Sequence, residues 1–309
     1  MGLSIYPVIL LIVIFWYVIV PLTGGFFNRY KWKKFRSRFN EIRLSQLLNY
    51  SQYTQMNEKK GLFRFTGNIE SITDGHTLWI RGDDLTMPVS IEKTICYLLP
   101  KHEGEGLPEA PEQIRWNQTS TLTEGTKVFI GGELKIKNNR LNFVSSKEHP
   151  LMIIFYNCPD DKLAFEVVRA SRTRNEYWNS FTPASLVIGA LILVYIAASF
   201  LNRPAFRLTV ITAFASIFVP ALSVFPPGFI FTVFYRRLTL LARRLRVTRD
   251  LALFNLLPKE ITSPQKTAIR GTIRAYFIEA FAWILLLLGI IINIVFIFLI
   301  LIFFEVINF

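Results

Sequence analysis

The stretch KVFIGGELKIKNNRLNF, residues 127–143, reads as two strands joined by a tight turn. Apolar and polar residues alternate on both sides of Asn138-Asn139, and asparagine tolerates the positive φ that a two-residue hairpin loop requires. Gly131-Gly132 inside the first strand predicts a bulge or a sharp bend, as small barrels need at their corners. The hairpin stands out because long apolar runs dominate the rest of the chain.

Period-two alternation continues outward from the hairpin. It recurs in LFRFTGNIESI (62–72), TLWIRG (77–82) and LTMPVSIEKTICYLL (85–99), and LMIIFYN (151–157) reads as a last, buried strand. Turn signals such as Asp74-Gly75 separate these runs. Five to six short strands of this kind predict a small closed or half-closed sheet, and an OB-like β domain over residues 60–157 fits best.

A long polar stretch, residues 100–125, separates two of the predicted strands. It holds three prolines and five acidic residues against two basic ones, which predicts a solvated surface loop. The loop reading is preferred to a metal or acid–base cluster for Glu103, Glu105, Glu109 and Glu112. The three histidines, His76, His102 and His149, are predicted at the surface, and Cys96 and Cys158 as two unrelated thiols, so no cofactor or catalytic residue is expected.

Four apolar runs predict an integral membrane protein. Three of them have no charged residue, and the last carries only Glu279 and Glu305; the runs are Leu3–Leu22, Phe181–Leu201, Leu208–Tyr235 and Ala275–Phe309. Runs near 20 residues match a hydrocarbon core of about 30 Å. Because Pro220 and Pro226-Pro227 lie in the third run, one long kinked helix is expected there, with a re-entrant piece as the alternative. The last run is expected to form one tilted helix rather than a hairpin.

Basic flanks predict the orientation. Seven lysines and arginines between Arg29 and Arg43 follow the first run, and further bases flank the later runs, including the segment 236–274. Basic residues close to a span stay on the cytoplasmic side. With four spans and both termini outside, every strongly basic flank lies on the cytoplasmic side. This topology places the β domain in the cytoplasm, here at a bacterial inner membrane.

These signals divide the chain into five parts. They are a transmembrane helix (1–24), a basic juxtamembrane helix or linker (25–59), the OB-like domain (60–157), a connecting helix (158–180) and a membrane domain with three further spans (181–309). The fold class is therefore an α+β membrane protein with the barrel inserted between spans one and two. A helix over Asn40–Met56 and an N-cap at Asp160 or Asp161 are expected beside the barrel.

The stretch around the hairpin resembles a known family. Its glycines and apolar positions, followed by an acidic pair and an arginine-rich helix that enters a span, look like the membrane-anchored barrel domain of the GIDE type; the carrying residues are Gly125, Val128, Gly131, Gly132, Leu141, Phe143, Pro150, Ile153, Asp160, Asp161 and Leu163. A looser resemblance is to OB domains of the NfeD type. Both imply assembly or scaffolding on a membrane. The chain has no RING domain, so the ubiquitin-ligase activity of one GIDE-type protein is not implied.

Three functions compete. The first is a scaffold that presents the barrel to a protein partner, and the second is a module that binds anionic lipid or nucleic acid. Outside the juxtamembrane stretch 29–43, segment 28–180 has 16 basic and 17 acidic residues, which disfavours nucleic acid. The third, a transporter or intramembrane enzyme, has little support because no ionisable residue is expected at a span's midplane.

Basic residues beside the spans are the candidate contacts to membrane lipids. At 100° per residue, the arginines that follow the third run share one side of a helix while Leu238, Leu241 and Leu245 share another, which is typical of an interfacial helix. The simpler hypothesis is that these bases only fix the topology. The candidates are Arg29, Lys31, Lys33, Lys34, Arg36, Arg38, Arg236, Arg237, Arg243 and Arg244.

A cysteine at Asn138, in the predicted hairpin loop, tests the orientation. If the β domain is cytoplasmic, this thiol resists a membrane-impermeant maleimide in intact cells and reacts after lysis. Labelling in intact cells, measured as a gel shift, would overturn the predicted topology.

Overall fold

The computed structural model describes residues 5–54, 61–73, 77–92, 94–100, 110–115, 122–137, 140–146, 148–172, 178–223, 226, 228–254, 256 and 264–303. The chain divides into two compact units. One is Trp32–Thr173, the barrel unit; the other combines Met1–Lys31 with Arg174–Phe309 and is the helical unit.

The barrel unit contains one nine-stranded sheet. Its strands are β1 (Gln46–Leu47), β2 (Leu62–Thr73), β3 (Thr77–Arg81), β4 (Thr86–Ser90), β5 (Ile95–Leu98), β6 (Glu112–Arg115), β7 (Lys127–Lys137), β8 (Arg140–Val144) and β9 (Met152–Tyr156). Five of them close into a barrel in the order β2-β3-β4-β8-β7, with β7 returning to β2. The β4–β8 pair is parallel and the other four pairs are antiparallel.

The barrel interior is filled by alternate residues of its strands. In β3 and β4, every second residue points inward and is fully buried, while Thr77, Trp79 and Pro88 lie on the outer side. This is the period of two that the sequence predicts for strands with one buried face. The inward residues include Leu78, Ile80, Met87, Val89, Val128, Ile130, Leu134, Leu141 and Phe143.

A second apolar layer covers the outside of β7 and β9. Strand β9 pairs with the first half of β7 and continues through β5 to β6, so its residues are buried on both faces. The helix Val20–Leu44 contributes Trp32, Phe35, Phe39 and Ile42 to this layer, and the helix Leu163–Ala170 contributes Leu163 and Val167. Strand β7 therefore belongs to both cores: Val128 and Ile130 face the barrel and Phe129 faces the helices.

Gly131 lies where the first helix crosses β7. A Cβ on this residue would lie 2.0 Å from Cγ2 of Ile42, so only glycine permits this approach. The pairing of β7 with β2 runs without a register shift through Gly131 and Gly132, so the predicted bulge at these glycines is wrong. The irregularity is in β2 instead, between Ile69 and Ser71.

The strands differ from the prediction in two places. The run LTMPVSIEKTICYLL forms two strands, β4 and β5, because the second half pairs with β9 outside the barrel. Strand β6 lies inside the predicted surface loop, so the loop prediction is wrong at Glu112–Arg115, although Glu112 is exposed. Lys137 pairs with Arg140 across the hairpin. Asn138-Asn139, Asp74-Gly75, His76, His102, Glu103, Glu105 and Glu109 lie outside the described residues.

The helices that flank the sheet also differ from the prediction. The expected helix over Asn40–Met56 ends at Leu44, because β1 pairs with β2 and Leu48 enters the barrel core; a short helix, Tyr50–Thr54, follows. Neither acid caps the later helix. Asp160 and Asp161 lie in a 3-10 turn, and Asp160 accepts hydrogen bonds from Lys127 and Tyr156, at 2.7 and 3.3 Å.

The helical unit contains three helices long and apolar enough to cross a membrane, which is consistent with a membrane protein. They are Tyr6–Leu44, Thr182–Phe200 and Ala268–Asn293. The first has α-helix α1 (Tyr6–Ile14), a π turn (Phe15–Ile19) and α2 (Val20–Leu44), whose residues from Trp32 onward belong to the barrel unit. With the flanking helices of the barrel unit labelled α3 (Tyr50–Thr54) and α4 (Leu163–Ala170), the remaining helices are α5 (Thr182–Phe200), α6 (Arg207–Ile217), α7 (Gly228–Leu253) and α8 (Pro264–Phe303).

The third predicted span is not one kinked helix. It is divided between α6 and α7, with a 3-10 turn over Val219–Ser223. Pro220 cannot donate a backbone hydrogen bond and its ring obstructs the preceding turn, so the α-helix ends before it. The prediction of one helix for the last run is confirmed over the described residues, because α8 is unbroken from Pro264 to Phe303.

Replacing Gly131 with alanine tests the crossing of α2 and β7. We expect Gly131→Ala to lower the free energy of unfolding by about 1–3 kcal/mol, because the new methyl group overlaps Ile42. The measurement is thermal or denaturant unfolding of the full chain in mild detergent. In the double variant Gly131→Ala/Ile42→Ala the overlap is removed, so the two losses should be less than additive. Strict additivity would contradict the close approach.

Candidate functional site

Helices α7 and α8 pack against each other through small residues. Along α8, the buried residues Ala268, Ala275, Ala282 and Gly289 recur at intervals of seven. A Cβ on Gly289 would lie 2.7 Å from Cβ of Phe231 in α7, so the two backbones approach closely. Small residues at this spacing let helices associate in an apolar environment without a hydrophobic driving force.

One end of this helix pair is closed by a hydrogen bond. The side-chain oxygen of Asn293, which is 2% exposed, accepts a hydrogen bond from the backbone N–H of Gly228 at 3.0 Å. Gly228 begins α7, where backbone N–H groups have no partner within the helix. A Cβ on Gly228 would lie 2.2 Å from the Asn293 amide nitrogen, so glycine is required at this contact.

A single carboxylate connects three helices of the helical unit. Glu279 of α8 forms ion pairs with Arg29 of α2 and with Arg246 of α7. The side chains of Glu279 and Arg246 are 14% and 9% exposed, whereas that of Arg29 is 40% exposed. Three helices thus meet at one acidic residue.

Further side chains surround this ion pair. The Arg246 guanidinium lies 5.5 Å from the centroid of the Tyr276 ring, a cation–π contact, and Tyr235 meets Trp283 edge-on at 5.7 Å. Arg243 is also near: burial lowers the pKa of its guanidinium, Arg246 lowers it further, and the Tyr235 hydroxyl and Glu279 oppose the shift. We call Arg29, Arg243, Arg246 and Glu279 the arginine cluster.

The first helix and α5 are joined in a similar way. The Asn179 amide donates a hydrogen bond to the carbonyl of Pro21 at 2.9 Å, and its oxygen accepts one from the backbone N–H of Phe181. A Cβ on Gly189 would lie 2.6 Å from Cε1 of Tyr17, so α5 also approaches through a glycine. These contacts are structural and bring no chemistry-bearing group into an apolar region.

The predicted lipid contacts fall into three groups. Arg36 is 4% exposed and donates a hydrogen bond to the carbonyl of Ser171 at 3.1 Å, which places it against protein. Arg29 and Arg243 belong to the arginine cluster, and Arg38 is half-buried. The exposed candidates are Lys31, Lys33, Lys34, Arg236, Arg237 and Arg244. Lipid contact by any of them stays a prediction.

Sequence reasoning missed two of these arrangements. Arg246 was expected among the basic residues that fix the topology, and it is instead buried in an ion pair. Asn293 is a polar residue in the last apolar run, and the sequence alone assigns it no role. The sequence offered one signal. A lone polar side chain in an apolar run often forms a hydrogen bond with backbone groups that a break in a neighbouring helix leaves free.

The barrel unit offers no catalytic grouping among the residues that the structure describes, and no group of three metal-ligating side chains is found there. Cys96 is buried in the barrel core, where burial raises the pKa of its thiol to about 12, and Cys158 belongs to the helix-covered layer. Both are free thiols, as the sequence predicts. His149 is half-buried, with Nδ1 4.0 Å from a carboxylate oxygen of Glu41.

Comparison of the chain with protein-family models, with curated proteins and with solved structures finds no match. The geometry of the chain itself therefore carries every functional argument made below.

Two variants of the arginine cluster should differ in stability. Arg246→Gln leaves Glu279 without its better-buried partner and should cost about 3 kcal/mol of unfolding free energy, the scale for breaking a buried ion pair. Arg29→Gln removes a more exposed partner and should cost about 1 kcal/mol or less. Unfolding of the full chain in detergent measures both. Equal losses would contradict the difference in burial.

Asn293→Leu tests the hydrogen bond at the start of α7. The leucine is close in size but cannot accept the Gly228 N–H, so we expect a loss of about 1–2 kcal/mol. Leu288→Ala, at an exposed position of the same helix, is the control and should have a smaller effect. The same unfolding measurement applies. An Asn293→Leu variant with the same free energy of unfolding as the parent would show that the hydrogen bond makes no net contribution to stability.

Proposed function

We propose that this protein is a membrane scaffold that presents an OB-like barrel in the cytoplasm to a protein partner. The chain crosses the membrane four times, both termini lie outside, and α6 together with the first part of α7 forms the third crossing. The barrel unit resembles the membrane-anchored barrels of the GIDE type in the spacing of its glycines and apolar residues. The basic flanks and the four apolar runs of the sequence support this topology.

The observation that carries the proposal is the construction of the barrel unit. Its barrel is closed, with an interior filled by side chains, and among the residues that the structure describes α2 and α4 cover the side of the sheet formed by β7 and β9. Numbered along the chain, the barrel strands occur in the order 1-2-3-5-4, a five-stranded arrangement with a non-sequential closure. OB folds are five-stranded Greek-key barrels that bind their ligands on the outer face of strands two and three.

In this chain the corresponding face lies on β3 and β4. Trp79 pairs with Pro88 across the two strands, and both point away from the barrel interior. Thr77, Arg81, Thr86 and Ser90 lie on the same side, so the face has one aromatic, one proline and one arginine side chain within a weakly polar surface. A tryptophan on such a face is typical of protein interfaces, where aromatic anchors carry much of the binding energy.

A photo-crosslinking experiment tests the scaffold. A photoreactive amino acid at Thr86, on the β3–β4 face, should give a discrete cross-linked product in intact cells. The same amino acid at Lys135, an exposed position of β7, should not give that product. The product is identified by mass spectrometry after extraction in mild detergent.

A substitution then asks whether the captured protein is a true partner. Trp79→Ala should reduce its co-purification with the full chain by at least tenfold, because the truncation removes the aromatic anchor. Lys135→Ala, at an exposed position of β7 outside this face, is the control and should change recovery less than threefold. Equal recovery with all three proteins would show that the β3–β4 face does not bind the partner.

A further inference from the structure

Helix α8 carries one continuous stripe of exposed apolar side chains. They recur every three or four residues from Ile269 to Leu299, the spacing at which residues share one face of a helix. At 100° per residue this face lies opposite the buried small residues that repeat at every seventh position of α8. The stripe includes Ile273, Phe277, Ile284 and Ile291, each more than half exposed.

The stripe is longer than the hydrocarbon core of a bilayer. From Ile269 to Leu299 the helix rises about 45 Å at 1.5 Å per residue. The hydrocarbon core is about 30 Å thick, and a bilayer measures about 40–45 Å with both headgroup layers. A tilt of about 20° shortens the stripe by only a few ångströms. If α8 crosses a membrane, one end of the stripe therefore lies in a headgroup layer.

The charged residues of α8 show which end this is. Arg270 and Arg274 are exposed, and their helical positions place them on the same side of α8 as Ile273. From Ala275 to Phe303 the helix has one charged residue, Glu279, whose side chain is 14% exposed and forms ion pairs. Arginine at the end of an apolar helix places its guanidinium among the headgroups while its stem covers apolar surface. The end near Arg270 is therefore the headgroup end.

Helix α7 presents the same combination of side chains at the same level. A Cβ on Gly271 of α8 would lie 3.5 Å from the carbonyl oxygen of Leu245 in α7, so the two helices are side by side there. The adjacent Arg244 is exposed, and Leu241, one turn earlier, is 46% exposed. Both helices thus expose arginine next to apolar side chains in one layer.

We propose that residues 269–277 of α8 bind anionic phospholipid, with Arg270 and Arg274 on the headgroup phosphate and the stripe against the acyl chains. Guanidinium groups bind phosphate oxygens through paired N–H donors. The inference rests on the insertion of α8 in the membrane, which is part of the proposed function, and not on the role of the barrel.

Charge and continuity favour a lipid over other occupants. The exposed charged residues in the described parts of α7 and α8 are all arginines, so a second copy of the chain would bring like charges together. The apolar stripe runs without a break from Arg270 into the uncharged part of α8. A phospholipid has both the anionic group and the apolar chains that this surface requires, whereas a free phosphate ion has only the first.

The depth of a spin label tests where the stripe begins. Cys158 is replaced by alanine, the buried Cys96 is kept, and the full chain is reconstituted in vesicles of phosphatidylcholine and phosphatidylglycerol. One nitroxide is attached at Ile273→Cys, Ile291→Cys or, as the reference in the barrel unit, Lys135→Cys. Collisions with oxygen, which concentrates in lipid, are compared with collisions with a water-soluble nickel complex.

We expect the preference for oxygen at Ile273→Cys to be lower than at Ile291→Cys and clearly higher than at Lys135→Cys. If Ile273→Cys matches Lys135→Cys while Ile291→Cys favours oxygen, α8 is inserted but its first turns lie in water, and the lipid site is wrong. If Ile291→Cys also matches Lys135→Cys, the insertion of α8 fails and the lipid site with it.

A double variant tests the headgroup contact. Thermal unfolding of the full chain in mild detergent is followed as phosphatidylglycerol is added, with phosphatidylcholine as the zwitterionic reference, because binding to the folded state raises the midpoint. Arg270→Gln/Arg274→Gln should weaken the apparent affinity for phosphatidylglycerol at least about tenfold, the combined effect of two basic residues at an anionic surface.

Lys135→Gln/Lys162→Gln is the matched control. It removes two positive charges from exposed positions of the barrel unit and should change the affinity less than about twofold. Equal losses in the two double variants would mean that the lipid responds only to total charge, and the proposed site would be wrong. A shift with inorganic phosphate equal to that with phosphatidylglycerol would indicate a soluble anion and overturn the lipid assignment.

Discussion

The barrel unit depends on one strand, β7, whose first half is buried on both faces. Strand β7 closes the barrel against β2 and β8, and its first half also carries β9 and the layer of helices. Its side chains alternate between the two cores, with Val128 and Ile130 on one side and Phe129 on the other. A shift of the strand by one residue would exchange these faces, so both cores together determine its register. Gly131 then allows α2 to lie directly on the strand.

The helices of the helical unit associate through different physical interactions. Many large apolar side chains are exposed on its long helices, and in a membrane the association of helices does not depend on hiding apolar area from water. Close packing at Gly189, Gly228 and Gly289 takes that place, and a few polar contacts fix the register. Asn293 satisfies the first N–H of α7, and Glu279 joins arginines from two helices. Such polar contacts are costly to leave unmade in an apolar environment, which is why they specify the arrangement.

Basic residues have two roles in the helical unit. The flanks that predict the orientation of the helices also supply Arg29 and Arg246, which form ion pairs with Glu279. A scaffold needs a defined orientation at the membrane surface. The β3–β4 face, in contrast, carries little charge and offers Trp79 and Pro88 as an apolar surface.

The sequence by itself determined whatever depends on local periodicity. The alternation of apolar and polar residues with a period of two predicted the barrel strands. The uninterrupted apolar runs predicted the long apolar helices, including the unbroken α8. The tertiary structure decided what depends on distant partners. Strand β6 lies in a stretch that the sequence predicts as a polar loop, and it forms a strand because it pairs with β5. The predicted Asn40–Met56 helix ends early because Leu48 enters the barrel core.

The same distinction applies to the candidate site. The basic flanks were visible in the sequence, but nothing local separates Arg243, beside Glu279, from the exposed Arg244. The residues of the arginine cluster are up to 250 positions apart in the chain. Only the packing of α2, α7 and α8 brings them together, because a helix repeats its faces every 3.6 residues without indicating which face meets a neighbour.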